Sequence, residues 1–116
     1  MDISPKLENQ LNQFEQLRGQ LQMIVNQKVQ MGSTLKELQG ALEEIKKAKP
    51  DTPTYKNVGA LLIKVEDVPK LIEDLKEQED SLEVRIKQLE KQEKVLNEKY
   101  VKLQESIQQA IQNQGT

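Results

Sequence analysis

Lysine, glutamate, aspartate and glutamine are the side chains of this chain best able to move protons or hold a ligand, and their spacing is mostly that of solvated helix faces. There is no histidine and no cysteine. The usual general base near pH 7, the commonest metal ligand and the thiolate nucleophile are therefore all missing. No glycine-rich phosphate loop and no Asp/Glu cluster with metal-ligand spacing occurs. Neither an enzyme activity nor a cofactor or metal is expected. Three charged positions interrupt apolar series, Lys28, Glu79 and Glu93, and of these Lys28 and Glu93 fall within a turn of each other when the chain folds back on itself. There the chemistry on offer is ion pairing that fixes helix register at some cost in stability. The plainer alternative is that both charged ends snorkel separately to water. Lys46-Lys47-Ala48-Lys49 is a short basic run, read as a helix C-terminus complementing the macrodipole or as a docking patch for an acidic partner.

The elements that carry these residues must be long helices. The chain has 116 residues, enough for one domain, with only 35% hydrophobic and 3% aromatic against 31% charged. That leaves little bulk for a rounded core but suffices for a narrow apolar seam. Seventeen basic and nineteen acidic residues interleave to a net charge of −2, with no basic stripe or aromatic stacking platform, so no nucleic-acid partner is expected. No apolar run approaches the ~18 residues that span a bilayer, and the opening Met-Asp-Ile-Ser-Pro lacks a signal peptide's basic and apolar regions. A soluble, cytoplasmic protein without a membrane partner is expected.

The first helix is predicted over 5–48, with Ser4 as cap and Pro5 in the opening turn. Its apolar residues fall on two seven-residue series: Leu7, Phe14, Leu21, Lys28, Leu35, Leu42, and Ile3, Gln10, Leu17, Ile24, Met31, Leu38, Ile45. Alternating steps of three and four define a heptad coiled coil. Leu11 lies off phase beside Gln10, which predicts a looser seam near the N-terminus. Gly32-Ser33-Thr34 is the softest point, yet the heptad phase runs through it. Pro50 and Pro53 end the pattern, and it resumes after Asp67-Val68-Pro69 over 68–113. There the seams are Ile72, Glu79, Ile86, Glu93, Tyr100, Ile107 and Leu75, Leu82, Leu89, Leu96, Leu103, Ala110. Glu43–Lys47, Glu83–Lys87, Glu90–Lys94 and Glu98–Lys102 are expected to add i,i+4 pairs. Folding back as an antiparallel hairpin sets Ile45 against Ile72, Leu42 against Leu75, and Lys28 opposite Leu89 within a turn of Glu93.

Residues 49–67 hold a loop and a predicted β-hairpin, Thr54 to Val65, reversing at Gly59-Ala60. Leu61, Ile63 and Val65 face one side and Leu62 and Lys64 the other. A lone two-stranded hairpin is marginal in water, and its edges invite pairing. Hairpins of several copies or related chains are expected to close into a shared sheet or barrel through Tyr55, Val58, Leu61, Leu62, Ile63 and Val65. The alternative is a hairpin folded back onto its own helix bases.

Helix, hairpin, helix, with Tyr55-Lys56-Asn57-Val58-Gly59 opening the hairpin, resembles the β-type subunit of prefoldin over essentially the whole chain. Leu82-Glu83-Val84-Arg85-Ile86 and the stretch from Glu90 to Lys99 resemble that family's second helix. The single hairpin marks the β type over the longer α type, and the lack of tails or insertions is more similar to an archaeal subunit than to a eukaryotic one. The resemblance implies a fold that is mainly α, a long antiparallel two-helix coiled coil whose β-hairpin oligomerises into a β-barrel hub. It implies a hetero-hexamer of two alpha-type and four beta-type subunits. Its coiled-coil tips hold unfolded client proteins without ATP and deliver them to a group II chaperonin.

The residues themselves are compatible with that role. The segments Asn9 to Gln30 and Gln104 to Thr116 are rich in Gln and poor in charge. Ile3, Leu7, Leu11 and Phe14 on one helix, with Ile107, Ala110 and Ile111 on the other, supply apolar groups for client binding if the end of the coil splays. As a rival, terminal seam residues are ordinary core. A coiled-coil spacer or tether would share the heptads but has no reason to carry the apolar hairpin.

Overall fold

The computed structural model describes residues 3–114. The order of elements is α1 (Pro5–Lys47), β1 (Tyr55–Val58), β2 (Leu61–Lys64) and α2 (Val68–Gln114). Both helices open on side-chain caps. The Leu7 N–H donates to Ser4 Oγ at 3.1 Å and the Lys70 N–H to Asp67 Oδ1 at 3.0 Å, each meeting a backbone donor the helix cannot satisfy internally. α1 passes through Gly32-Ser33-Thr34 unbroken. It stops at Lys47, one residue short of the expected 48, with Lys46 and Lys47 in its last turn against the negative end of the dipole.

Packing divides the chain into two units. The first holds residues up to Gln30 together with those from Lys87 onward. In it, Leu7, Ile24, Leu89 and Ile107 are buried, and Phe14, Leu17, Leu21, Leu96, Tyr100, Leu103 and Ala110 are half-buried. Each of these lies on an expected seam, while Leu11, expected off phase, is half-buried as well. The helices run antiparallel here, for Phe14 meets Tyr100 while Lys28, further along α1, meets Glu93, earlier on α2. Ile3 is the exception among the seam residues: it precedes the helix and is 51% exposed.

The second unit, Met31–Ile86, has Leu42 buried and Leu35, Leu38, Ile45, Ile72, Leu75, Leu82 and Ile86 half-buried. It also contains the hairpin. Antiparallel pairing sets Tyr55 against Lys64, Lys56 against Ile63, Asn57 against Leu62 and Val58 against Leu61. A further bond from the Val65 N–H to the Thr54 carbonyl, at 2.9 Å, extends the ladder. The reversal is the two-residue Gly59-Ala60 turn, with Gly59 at φ 58° and no positive φ at Ala60. Glycine at the first central position of such a turn matches the right-handed twist of the strands. Directly opposed residues share a face, so Lys56, Val58, Leu61 and Ile63 lie together and Tyr55, Asn57, Leu62 and Lys64 lie on the reverse. All eight strand residues are exposed, which is at odds with a ribbon folded back onto the helices.

The i,i+4 pairs behave differently from expectation. Glu43–Lys47, Glu83–Lys87, Glu90–Lys94 and Glu98–Lys102 are not among the ion pairs within 4 Å in the described residues, where Arg18–Glu15 and Lys28–Glu93 are. All eight of those side chains are exposed. Holding two long, hydrated side chains together there gains little over leaving them free.

Candidate functional site

Both terminal segments contribute to a shallow cleft of about 220 Å³. Ser4, Lys6, Leu7 and Gln10 line it from the N-terminal side, and Ser106, Gln109, Ala110 and Asn113 from the C-terminal side. The heptad phase explains the floor: Leu7 and Ala110 are seam residues, and the polar ones flank them. Gln10 occupies a seam position that normally takes an apolar residue, so its amide is drawn inward. Its Oε1 is buried without a hydrogen-bond partner. An unpaired buried carbonyl costs about 1–3 kcal/mol, which an incoming N–H donor would relieve.

The seven apolar residues expected to meet a client are not alike. Leu7 and Ile107 are buried, Leu11, Phe14 and Ala110 half-buried, and Ile3 and Ile111 exposed at 51% and 54%. In the closed coil only Ile3 and Ile111 stand ready as contact surface. The cleft brings Leu7 and Ala110 together, while Ile3, Leu11, Phe14, Ile107 and Ile111 are not part of its lining. Phe14 stacks on Tyr100, ring centroids 4.5 Å apart and planes inclined by 26°.

Deeper in the same unit, Lys28 Nζ donates to Glu93 Oε1 at 2.9 Å. The hydrogen bond to Glu93 raises the Lys28 pKa above its ordinary value; partial desolvation opposes this, and the charges of Glu93 and Glu90 add to the rise. The two in-seam charges thus meet and do not snorkel apart.

Sequence reasoning passed over an apolar set outside the seams. Met23, Val25, Val29, Val84, Val95 and Val101 are all exposed. Val95 and Leu96, beside Lys91 and Gln92, line a shallow and largely apolar groove of about 410 Å³. The signal was available, since apolar residues at outward heptad positions are exposed by construction.

Among the described residues, no group of three or more carboxylate, histidine or cysteine side chains is placed to hold a metal ion. Nor, among them, is any helix long and apolar enough to cross a membrane.

Two helices joined by a two-stranded ribbon, with the ribbon bare and the chain ends sharing a cleft, define the helix–hairpin–helix class of coiled-coil subunits. The sequence profile described as Prefoldin subunit matches residues 8–114. The chain is 41% identical over 108 residues to the prefoldin subunit beta of Thermoplasma volcanium, covering 93% of this chain and 87% of that one. It is 44% identical over 110 residues to the prefoldin subunit beta of Thermococcus onnurineus, covering 95% and 94%. The crystal structure of the prefoldin beta subunit from Thermococcus strain KS-1 superposes with a TM-score of 0.81 at 41% identity, covering 94% of this chain and 95% of that one. The chain belongs to the prefoldin family, and its role is that of a prefoldin chaperone subunit.

Proposed function

We propose that residues 1–116 act as one beta-type protomer of a hetero-hexamer of two alpha-type and four beta-type subunits. The observation that carries this reading is the bare ribbon: Tyr55, Val58, Leu61, Leu62 and Ile63 are all exposed in the single chain. Apolar strands with free edges gain most by pairing with other strands, and closure into a shared barrel removes the edges. Val65, half-buried, joins the same surface.

The helix ends then serve as the holding surface for unfolded clients. Ile3 and Ile111 offer apolar contact at once, and Gln10 offers an unpaired acceptor to a client backbone N–H. Leu7, Leu11, Phe14, Ala110 and Ile107 join as the coil end opens. No nucleotide, metal or catalytic step is needed, since capture rests on burial of client apolar surface. The captured client passes to a group II chaperonin in the cytoplasm, with neither nucleic acid nor membrane involved.

Deleting residues 1–10 and 108–116 tests the holding surface. The shortened chain should keep its assembled mass and lose suppression of client aggregation; retained suppression rejects the helix ends as the binding region. A spacer or tether without client binding is the competing reading. Purified full-length protein that fails to delay aggregation of a denatured enzyme would favour it.

A further inference from the structure

Closing a hairpin into a barrel shelters one of its faces and leaves the other outward. Here Val58, Leu61 and Ile63, with Lys56 beside them, make the more apolar face, and Tyr55, Asn57, Leu62 and Lys64 lie on the reverse. Yet Leu62, on that reverse face, is 72% exposed, more than any other large apolar side chain among the described residues. Barrel closure by the apolar face does nothing for it. A leucine left outward beside an exposed tyrosine needs a second cover.

The same unit offers one. The first turns of α2 carry a groove of about 460 Å³ lined by Leu71, Asp74, Leu75, Glu77 and Gln78, with Lys56 of the chain's own hairpin at its border. Leu71 and Leu75 give it an apolar strip, and Asp74 and Glu77 give it acid. Its surroundings are acidic as well: from Glu66 to Asp80 there are seven carboxylates against Lys70 and Lys76. The hairpin is the opposite, carrying Lys56 and Lys64 and no acidic residue between Thr54 and Val65. Leu62 and Lys64 are two residues apart on one strand face, about 7 Å. Leu71 and Leu75 lie about 6 Å apart along one helix face, with Asp74 beside them. An apolar group followed by a cation therefore faces a surface of matching spacing and opposite charge. The chain cannot satisfy this by itself, for its own Leu62 remains bare and only Lys56 reaches the groove.

We propose that the groove on α2 seats the hairpin of a second copy of this chain, with Leu62 against Leu71 and Leu75 and Lys64 against Asp74 and Glu77. The proposal rests on the assembly reading above and names the surface that reading leaves undefined.

The absence of cysteine makes a direct test clean. Full-length Leu62→Cys chain is mixed with full-length Leu71→Cys chain under mild oxidation, and the control pairs Leu62→Cys with Lys91→Cys. Disulfide formation requires Cα atoms within about 7 Å, so the proposal expects an inter-chain disulfide in the first mixture and not in the control. If a cysteine chain fails to assemble, charge reversal decides. Lys64→Glu alone, or Asp74→Lys with Glu77→Lys, should raise the concentration at which the assembly dissociates at low salt by about tenfold, and all three together should restore it. An assembled protein with no disulfide above the control, or with no restoration by the combined reversals, overturns the groove proposal and leaves the hub reading standing. A wild-type chain that runs at single-chain mass overturns the hub reading itself, and the groove proposal with it.

Discussion

The Lys28 ammonium lies 2.9 Å from a Glu93 carboxylate oxygen, and the two side chains are 27% and 30% exposed. They sit 65 residues apart in sequence, one in the apolar seam of each helix. Each charge breaks its own heptad pattern, and the two meet at only one register of the helices; Lys28 would reach the other seam carboxylate, Glu79, only after a slip of two full heptads. A slip by one heptad would set Glu93 against Leu21 or Leu35 and Lys28 against Ile86 or Tyr100. The pair therefore acts as a register key more than as a source of stability.

Lys28→Leu combined with Glu93→Leu should raise the melting temperature, because two partly desolvated charges give way to continuous seam. Lys28→Leu alone should fall below the double variant, since it leaves Glu93 unpaired in the seam. Thermal denaturation of wild type and the two variants checks the order, and a double variant that melts below wild type rejects this account of the pair.

The pH dependence has a definite sign. The folded-state pKa of Lys28 is raised above the ordinary 10.5, so its contribution is fully present below that value. It is lost as pH climbs through the raised one. The stability difference between wild type and Lys28→Met should be flat through neutral pH and shrink only in strong alkali. Denaturant unfolding across pH 7 to 11 measures it; shrinkage already near pH 8 contradicts the raised pKa.

Leu89 is 1% exposed and lies on the series of Leu75, Leu82, Leu96 and Leu103. Leu89→Ala should destabilise by about 2–5 kcal/mol, transfer loss plus cavity. Phe14 and Tyr100 are half-buried and stacked. A double-mutant cycle with Phe14→Leu and Tyr100→Leu should return a coupling of about 0.5–1.5 kcal/mol. No coupling would mean the stack does not help close the coil end.

Glycine substitutions should split by position. An added Cβ at Gly19 or Gly40 meets nothing within 4 Å, and both lie inside α1. Gly19→Ala and Gly40→Ala should each stabilise by about 0.5–1 kcal/mol. Gly59 also has open space, but its φ is 58°. Gly59→Ala should cost about 1–2 kcal/mol through the backbone alone. Equilibrium unfolding reads all three, and destabilisation by Gly19→Ala would show that α1 needs its flexibility there.

Much of this was legible in the sequence, for reasons particular residues make plain. A heptad series leaves no freedom of phase, so Leu7, Ile24, Leu42, Leu89 and Ile107, the buried residues, could be assigned to the seams before any coordinates. Gly59-Ala60 between β-branched and aromatic runs fixed the turn, and the expected antiparallel register put Lys28, the charge in the seam of α1, within a turn of Glu93 and far from Glu79. The misreadings share a cause. Ile3 keeps heptad phase, yet phase does not say where the helix begins, and the Ser4 cap excludes it. The Glu–Lys spacings are correct for pairing, but spacing cannot weigh hydration against contact on an open face. The cleft eluded pattern reading because Ser4, Ser106, Gln109 and Asn113 are ordinary polar surface until two chain ends come together. Met23, Val29 and Val95 were visible as residues and overlooked as a set.

The bare ribbon between α1 and α2 is the premise on which assembly, client holding and the groove all depend. The most direct test is the mass of the purified full-length chain in solution across a dilution series, with and without an alpha-type subunit, alongside hydrogen exchange at Tyr55 to Lys64. The account predicts a multimer whose ribbon amides are protected in the assembly and lose that protection as it dissociates. A folded single chain at high dilution with those amides still protected would contradict it.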